Sequence, residues 1–423
     1  MKRICLFSVI LLLAFLACPK SPKETSSERS ASPLVKTGLD VVVASDFDFF
    51  EGKQVGIVCN HTACDRRGRH IVDLFTASRR CSVVAIFGPE HGFRGDHADG
   101  HSIHDTLDAR SGARIYSLYG QRTKPEPHML KDVDILVYDI QDVGARFYTY
   151  ISTMANAMEA AFERGIPFVV LDRPNPIRGD RIDGPVLDPK YRSFVGMYPI
   201  PIRYGLTAGE LAMMIYGEGW VRSDVNANLF VVEMEGWQRS MWYDDTGLPW
   251  IAPSPNMTDL QTAMVYPGFC LLEATNLSEG RGTETPFLLF GAPWIEGRKL
   301  MRDCEQETWE GVEFRAVKFI PRTIAGRANN PKYKNQQCEG LSVQISDREH
   351  FQPLPTMLRL LGIISTSYPD HFEVRESRMN RLYGRSDLVA ALNGKAPVNT
   401  LWQKYRSAIE NYAGLREQYL IYP

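Results

Sequence analysis

Five short runs dense in Val, Ile and aromatic residues, separated by longer amphipathic stretches, constrain this chain more than any other feature. They cover residues 54–59, 82–87, 114–118, 134–140 and 167–171. Strands that read as nearly continuous apolar runs are buried on both faces, which calls for helices on either side of a parallel sheet. The clearest unit surrounds residue 150. Ile151, Met154, Ala155, Met158 and Phe162 recur at helical spacing, Gly165 stands where a C-terminal cap belongs, and a buried-type strand follows at once. This is a βαβ unit, and the expected class is α/β with a Rossmann-like parallel sheet.

At 423 residues the chain is longer than one hydrophobic core usually serves, so a second lobe is expected. A helix over 207–216 and a strand over 229–234 extend the first lobe. The stretch 237–293 is rich in Pro, Gly and Trp and reads as long loops that cover or bind something. Beyond it, a strand at 341–345 and helices at 355–362 and 400–411 suggest a smaller α+β lobe. The expected division is 38–260 for the Rossmann-like catalytic lobe and 261–423 for the smaller one, with the active site in the cleft between them.

The N-terminus carries an export signature. Met1-Lys2-Arg3 is a short basic start, residues 4–16 are almost wholly apolar, and Ala17-Cys18 follows. The apolar run falls short of the roughly 20 residues that span a bilayer. Phe15-Leu16-Ala17-Cys18 resembles a lipoprotein processing site, which makes 1–18 a signal peptide, Cys18 the lipidated residue and 19–37 a flexible tether. The expected location is the cell envelope or periplasm, anchored to a membrane. A charged fraction of 23% and a formal net charge of -2 argue against a nucleic-acid partner. After Cys18 the cysteines are Cys59, Cys64, Cys81, Cys270, Cys304 and Cys338, with no C-x-x-C pair. They read as buried thiols, although a bridge from Cys59 to Cys64 is open to them in an oxidising compartment.

Ligands of open parallel sheets gather beyond the carboxyl ends of the strands. Four of those ends are polar: Asn60-His61-Thr62, Gly88-Pro89-Glu90-His91-Gly92, Asp139-Ile140-Gln141-Asp142 and Asp172-Arg173-Pro174-Asn175. Hydrolysis of a glycosidic bond commonly takes two carboxyl groups, and Glu90, Asp139, Asp142 and Asp172 are the candidates. Glu90 is the first choice for the acid because Phe87, Pro89 and Phe93 can desolvate it. Arg146 is either the partner of Asp142 or a fork for a substrate carboxylate. Tyr148, Trp237, Trp242 and Trp250 offer faces on which sugars stack or a core packs. His91, His97, His101 and His104, with nearby aspartates, have metal-ligand spacing only on a helix, which Gly92, Gly95 and Gly100 disfavour. Serine-hydrolase, P-loop and dinucleotide motifs are missing from the sequence, and no cofactor or metal is expected.

The same segments resemble those of the exo-acting β-N-acetylmuramidases, a bacterial family. The resemblance rests on Gly88 to Gly95 (GPEHGFRG), Tyr116 to Gly120 (YSLYG), Asp139 to Tyr150 (DIQDVGARFYTY), Leu171 to Pro176 (LDRPNP), Ser254-Pro255-Asn256-Met257, Tyr266-Pro267-Gly268 and Leu277 to Thr283 (LSEGRGT), and covers nearly all of the chain from about residue 40. It implies removal of terminal N-acetylmuramic acid from the non-reducing end of peptidoglycan fragments by hydrolysis. It also implies that Glu90 is the catalytic glutamate. His91, Asp142, Arg146, Tyr148, Asp172, Arg173, Asn256, Glu279 and Arg281 are the implied site-lining residues. Tyr204 is expected to line the site as well, and Asp139, read from its strand end, is expected as the second catalytic carboxyl group. Through the resemblance Arg146 gains a target, the lactyl carboxylate of muramic acid. Two positions depart from the pattern: Tyr204 stands where His is expected, and Glu284 where a small or hydroxyl residue is usual. The competing expectation is a lipid-anchored sugar-binding protein without hydrolytic activity.

Overall fold

Seven strands form the larger sheet: β1 (Gln54–Cys59), β2 (Ser82–Gly88), β3 (Thr106–Leu107), β4 (Arg114–Ser117), β5 (Ile135–Asp139), β6 (Phe168–Leu171) and β7 (Leu229–Val232). The computed structural model describes residues 35–90, 92–94, 106–222, 228–394 and 398–423. The strand order is β3-β4-β2-β1-β5-β6-β7, and every adjacent pair is parallel except β3 with β4. Alternate residues feed opposite faces, as the period of two requires. Ile57, Val137 and Val169 enter one apolar cluster, and Val58, Tyr138 and Val170 enter another.

Helices cover both faces. Helices α1 (Gly38–Ala44) and α2 (Ile71–Ser78) bury Leu39, Val42, Ile71 and Phe75 on the first face. Helices α3 (Tyr150–Phe162) and α4 (Ala208–Gly217) bury Met154, Met158, Leu211 and Met214 on the second. Helix α4 starts where Thr207 accepts from the Glu210 amide and Glu210 accepts from the Thr207 amide, a reciprocal cap that satisfies two otherwise orphaned donors.

The expected loop region at 237–293 holds a helix, α5 (Leu260–Phe269), which the periodicity argument missed. Residues 262–269 are all buried, so this helix has no polar face and no amphipathic signal to read. Its Pro267-Gly268 pair looks like loop punctuation but serves packing. A Cβ on Gly268 would lie 2.1 Å from the Pro353 carbonyl oxygen, so only glycine allows this approach to the next segment.

The smaller sheet is antiparallel, order β8-β10-β9, built from β8 (Leu289–Ala292), β9 (Val312–Phe319) and β10 (Cys338–Ile345). It is accompanied by α6 (Gly297–Cys304), α7 (Pro353–Ser367) and α8 (Glu376–Tyr383). The two-lobe α/β architecture expected from the sequence is therefore present, with one addition. A continuous apolar core joins the lobes, since Phe290, Leu341 and Leu361 belong to the same cluster as Tyr138 and Phe168. The C-terminal residues return to the larger sheet, where the Tyr422 hydroxyl donates to Asp172 at 2.7 Å. All six described cysteines are free thiols, so the Cys59 to Cys64 bridge left open by the sequence is not formed.

Candidate active site

The order of the larger sheet reverses at β1: β2 lies on one side of it and β5 on the other. A crevice opens beyond the strand ends at such a switch point. The β1 end is tied to the β5 end by a short chain of hydrogen bonds. The Thr62 amide donates to Asn60 Oδ1 at 2.9 Å, and Thr62 Oγ1 accepts from the Gln141 amide at 3.0 Å. Gln141 Nε2 then donates to the Pro174 carbonyl at 2.8 Å, joining the β6 end. The loop that follows Pro249 closes over this edge, with His61 Nε2 2.8 Å from the Ala252 carbonyl and the Tyr150 hydroxyl donating to Pro253 at 2.6 Å.

Glu90 stands two residues beyond β2 and is half-buried. Beside it is an edge-to-face pair, Tyr148 and Tyr150, with ring centroids 5.0 Å apart. Burial raises both phenols above their ordinary range, and the Glu90 carboxylate pushes each in the same direction. Ser254 lies against the Tyr148 hydroxyl and Asn60 against that of Tyr150. Phe87 and Phe93, expected to desolvate Glu90, have other neighbours: Phe87 stacks on Tyr116 at 5.4 Å, and Phe93 packs near His70. His91 lies outside the described residues, as do His97, His101, His104 and Cys18.

Asp142 is buried behind the tyrosines. Its Oδ2 accepts from the Tyr204 hydroxyl and, at 2.7 Å, from the Gly144 amide. Gly144 reaches that amide direction with φ 77°, and a Cβ there would meet Asn175 Oδ1 at 2.4 Å. Asp142 Oδ1 lacks a well-aligned partner among the described residues. Burial raises the Asp142 carboxyl to about 6, against the opposing pull of the Tyr204 hydroxyl and the Gly144 amide. The departure at Tyr204 is thus not idle: the phenol is the side-chain donor that holds Asp142.

Other expected site residues are bound into the protein itself. Both Asp139 oxygens are taken by Arg173, through Nε and at 2.8 Å through Nη2, and the pair is buried. Arg173 Nη2 also donates to the Cys64 carbonyl at 3.0 Å. Asp172 accepts from the Thr207 hydroxyl at 2.6 Å, the Gly209 amide at 2.8 Å and the Tyr422 hydroxyl. That set anchors α4 and the C-terminus to the sheet and leaves no free oxygen for a sugar.

Arg146 is the clearest correction. Its guanidinium is fully buried and donates to the carbonyls of Pro185 and Ile200 at 2.8 Å and of Leu382 and Tyr383 at 3.0 Å. Burial without a carboxylate partner lowers it to about 9. Neither alternative from the sequence holds: it does not pair with Asp142, and it does not face a substrate carboxylate. It stitches α8 to the larger lobe.

Asn256, Glu279 and Arg281 lie on the smaller-lobe side. Asn256 Nδ2 donates to the Arg327 carbonyl at 2.7 Å, and Arg327 Nε returns to the Pro255 carbonyl at 3.1 Å. Glu279 pairs with Lys332 at 3.0 Å, and Arg281 with Glu273 at 2.9 Å. Glu284, the other departure, pairs with Arg327 at 3.1 Å. The structure therefore gathers Glu90, Asp142, Tyr148 and Tyr204 and adds Asn60, Tyr150 and Ser254. Asn60 already stood at a polar strand end, and Tyr150 and Ser254 in motifs that carry the resemblance.

Comparison with known proteins decides the family. Residues 55–261 match the N-terminal domain and residues 264–422 the C-terminal domain of exo-β-N-acetylmuramidase NamZ. The chain belongs to this family. It is 39% identical over 414 residues to the peptidoglycan β-N-acetylmuramidase NamZ of Bacillus subtilis strain 168, covering 98% of this chain and 97% of that protein. Two solved structures from Bacteroides fragilis, both described as DUF1343 family proteins, are similar in fold. One has a TM-score of 0.84 at 36% identity and the other 0.75 at 34%, each covering 92% of this chain and 99% of its own.

Proposed function

We propose that this chain hydrolyses the bond behind a terminal, non-reducing β-linked N-acetylmuramic acid of a peptidoglycan fragment, with Glu90 as the group that protonates the leaving oxygen. The protein is a glycoside hydrolase of the muramidase family, and the reading of its chemistry rests on one observation. Among the candidate carboxylates, Glu90 is half-buried at the switch-point end of the sheet, whereas Asp139 and Asp172 are wholly buried and bonded to protein groups. A general acid must reach its oxygen, directly or through one water. Asp142, buried one layer back, fits the role of a neighbour that sets the charge around the tyrosines.

The continuous core between the lobes speaks against a receptor that closes by hinge motion around a sugar. Export and a lipid anchor on Cys18 belong to the same proposal, as does a location in the cell envelope. The soluble form lacking residues 1–35 should release the aryl group of a chromogenic β-N-acetylmuramide and leave the matching N-acetylglucosaminide intact. Cleavage of neither by folded protein would sink the proposal.

A further inference from the structure

Two depressions of about 300 and 600 Å³ on the smaller-lobe side share Glu273, Arg375 and Arg378 in their walls and so form one groove. Their size falls in the roughly 300–1,000 Å³ range of ligand clefts. Six basic side chains line it, Arg281, Arg327, Lys332, Arg375, Arg378 and Arg381, against three carboxylates, Glu273, Glu279 and Glu376. In a chain whose formal net charge is -2, this is a local excess of positive charge. The excess is only partly neutralised. Glu273 is shared by Arg281 at 2.9 Å and Arg378 at 2.5 Å, Glu279 pairs with Lys332 and Glu284 with Arg327, while Arg375 and Arg381 have no carboxylate partner among the described residues. Arg375, Arg378 and Arg381 are exposed and recur every third residue at and along α8, which places them on one side of it.

The groove wall is tied to the candidate site through packed residues. Ser254 lies against Tyr148, the next residue Pro255 accepts from Arg327, and Arg327 is in the groove wall. A second link runs through aromatic rings: Tyr148 packs on Tyr266 at 5.7 Å, Tyr266 on Phe287 at 5.1 Å, and the Arg281 guanidinium lies 5.3 Å over Phe287. Phe147 and Val195 give the wider part an apolar wall.

We propose that this groove is an extended binding track for the peptide-free glycan strand beyond the cleaved bond, read through the lactyl carboxylates that recur on every second sugar. The proposal rests on the muramidase reading above. Guanidinium forks suit carboxylates, and a row of them suits a ligand that repeats its charge along a line. An exo-acting enzyme with such a track binds long strands better than short ones, because several weak contacts add to the one at the reacting end.

The test is the dependence of kcat/KM on chain length. Wild-type protein is given the disaccharide, tetrasaccharide and hexasaccharide of alternating N-acetylmuramic acid and N-acetylglucosamine, each with its muramic acid at the non-reducing end. The expected result is a rise of about tenfold from disaccharide to hexasaccharide, the worth of about one charge-assisted contact. The rise should vanish when the lactyl carboxylates are methyl-esterified in the sugars beyond the cleaved bond, and shrink at high ionic strength. The R375Q/R381Q variant should lose it, and R375K/R381K should keep most of it. Cleavage that is independent of length in wild type, or a rise unchanged in R375Q/R381Q, would overturn the track. Failure of the wild type to cleave even the disaccharide would instead strike the muramidase reading.

Discussion

Glu90 and Asp139 leave strands on either side of β1, at the same edge of the same sheet, and are used in opposite ways. Asp139 is wholly buried and its two oxygens are filled by one guanidinium, whereas Glu90 is half-buried against two phenols. The difference teaches what a polar strand end does in this fold. At β5 and β6 the ends are consumed in holding the loops and the C-terminus in place. At β1 the end is bonded to the β5 end, and at β2 the end leaves Glu90 half-buried. Rigid supports on one side are what keep a reacting group on the other at a fixed position.

The comparison breaks if the two carboxylates respond alike to neutralisation. E90Q should lower kcat/KM on the muramic acid disaccharide by about a thousandfold, within the usual reach of a general acid, and change unfolding free energy by no more than about 0.5 kcal/mol. D139N should do the reverse in kind. It leaves the Arg173 charge buried with half its partner gone, so unfolding in urea should show a loss of about 3–5 kcal/mol.

The comparison sharpens at Asp172. Burial, partly offset by the hydroxyls of Thr207 and Tyr422 and the Gly209 amide, raises this carboxyl to about 6, above its value in the unfolded chain. A group raised on folding stabilises most below its unfolded pKa and loses that contribution as pH climbs through the folded one. Relative to D172N, wild-type protein should therefore lose on the order of 1–3 kcal/mol between about pH 4 and pH 6. Thermal melts of both proteins across that range measure it, and parallel curves would show that Asp172 does not titrate there.

The smallest effect is expected at Tyr204. Its hydroxyl pulls the Asp142 carboxyl down, so Y204F should move that carboxyl further above about 6. If Asp142 must be ionised during turnover, the acidic limb of the kcat/KM profile shifts to higher pH, with a loss of about 1 kcal/mol for the missing bond. An unchanged limb would make Asp142 a structural residue like Asp139.

How much of this was legible before the structure depends on the range of the interaction involved. The parallel sheet, the βαβ unit and the helix expected over 207–216, which is α4, were readable because strand burial and helical spacing are local patterns. Helix α5 was not, because a helix buried on all sides has no period. The strand-end rule pointed to the edge where Glu90, Asp142 and the tyrosines lie together. Arg146 misled, since a buried guanidinium that binds Leu382 and Tyr383, more than 200 residues away, looks in sequence like one that binds a substrate. The same holds for Asp139 and Arg173: the motifs that contain them sit at the same polar edge, and only the geometry separates this buried, bonded pair from the half-buried Glu90.

The most direct test of that distinction is the kcat/KM of E90Q relative to wild type on two substrates, the natural disaccharide and an aryl β-N-acetylmuramide whose leaving group departs without a proton. If Glu90 protonates the leaving oxygen, the loss on the disaccharide is at least about a hundredfold larger than on the aryl glycoside. Equal losses on both would contradict the account, and Glu90 would join Asp139 among the residues that hold the edge rather than act at it.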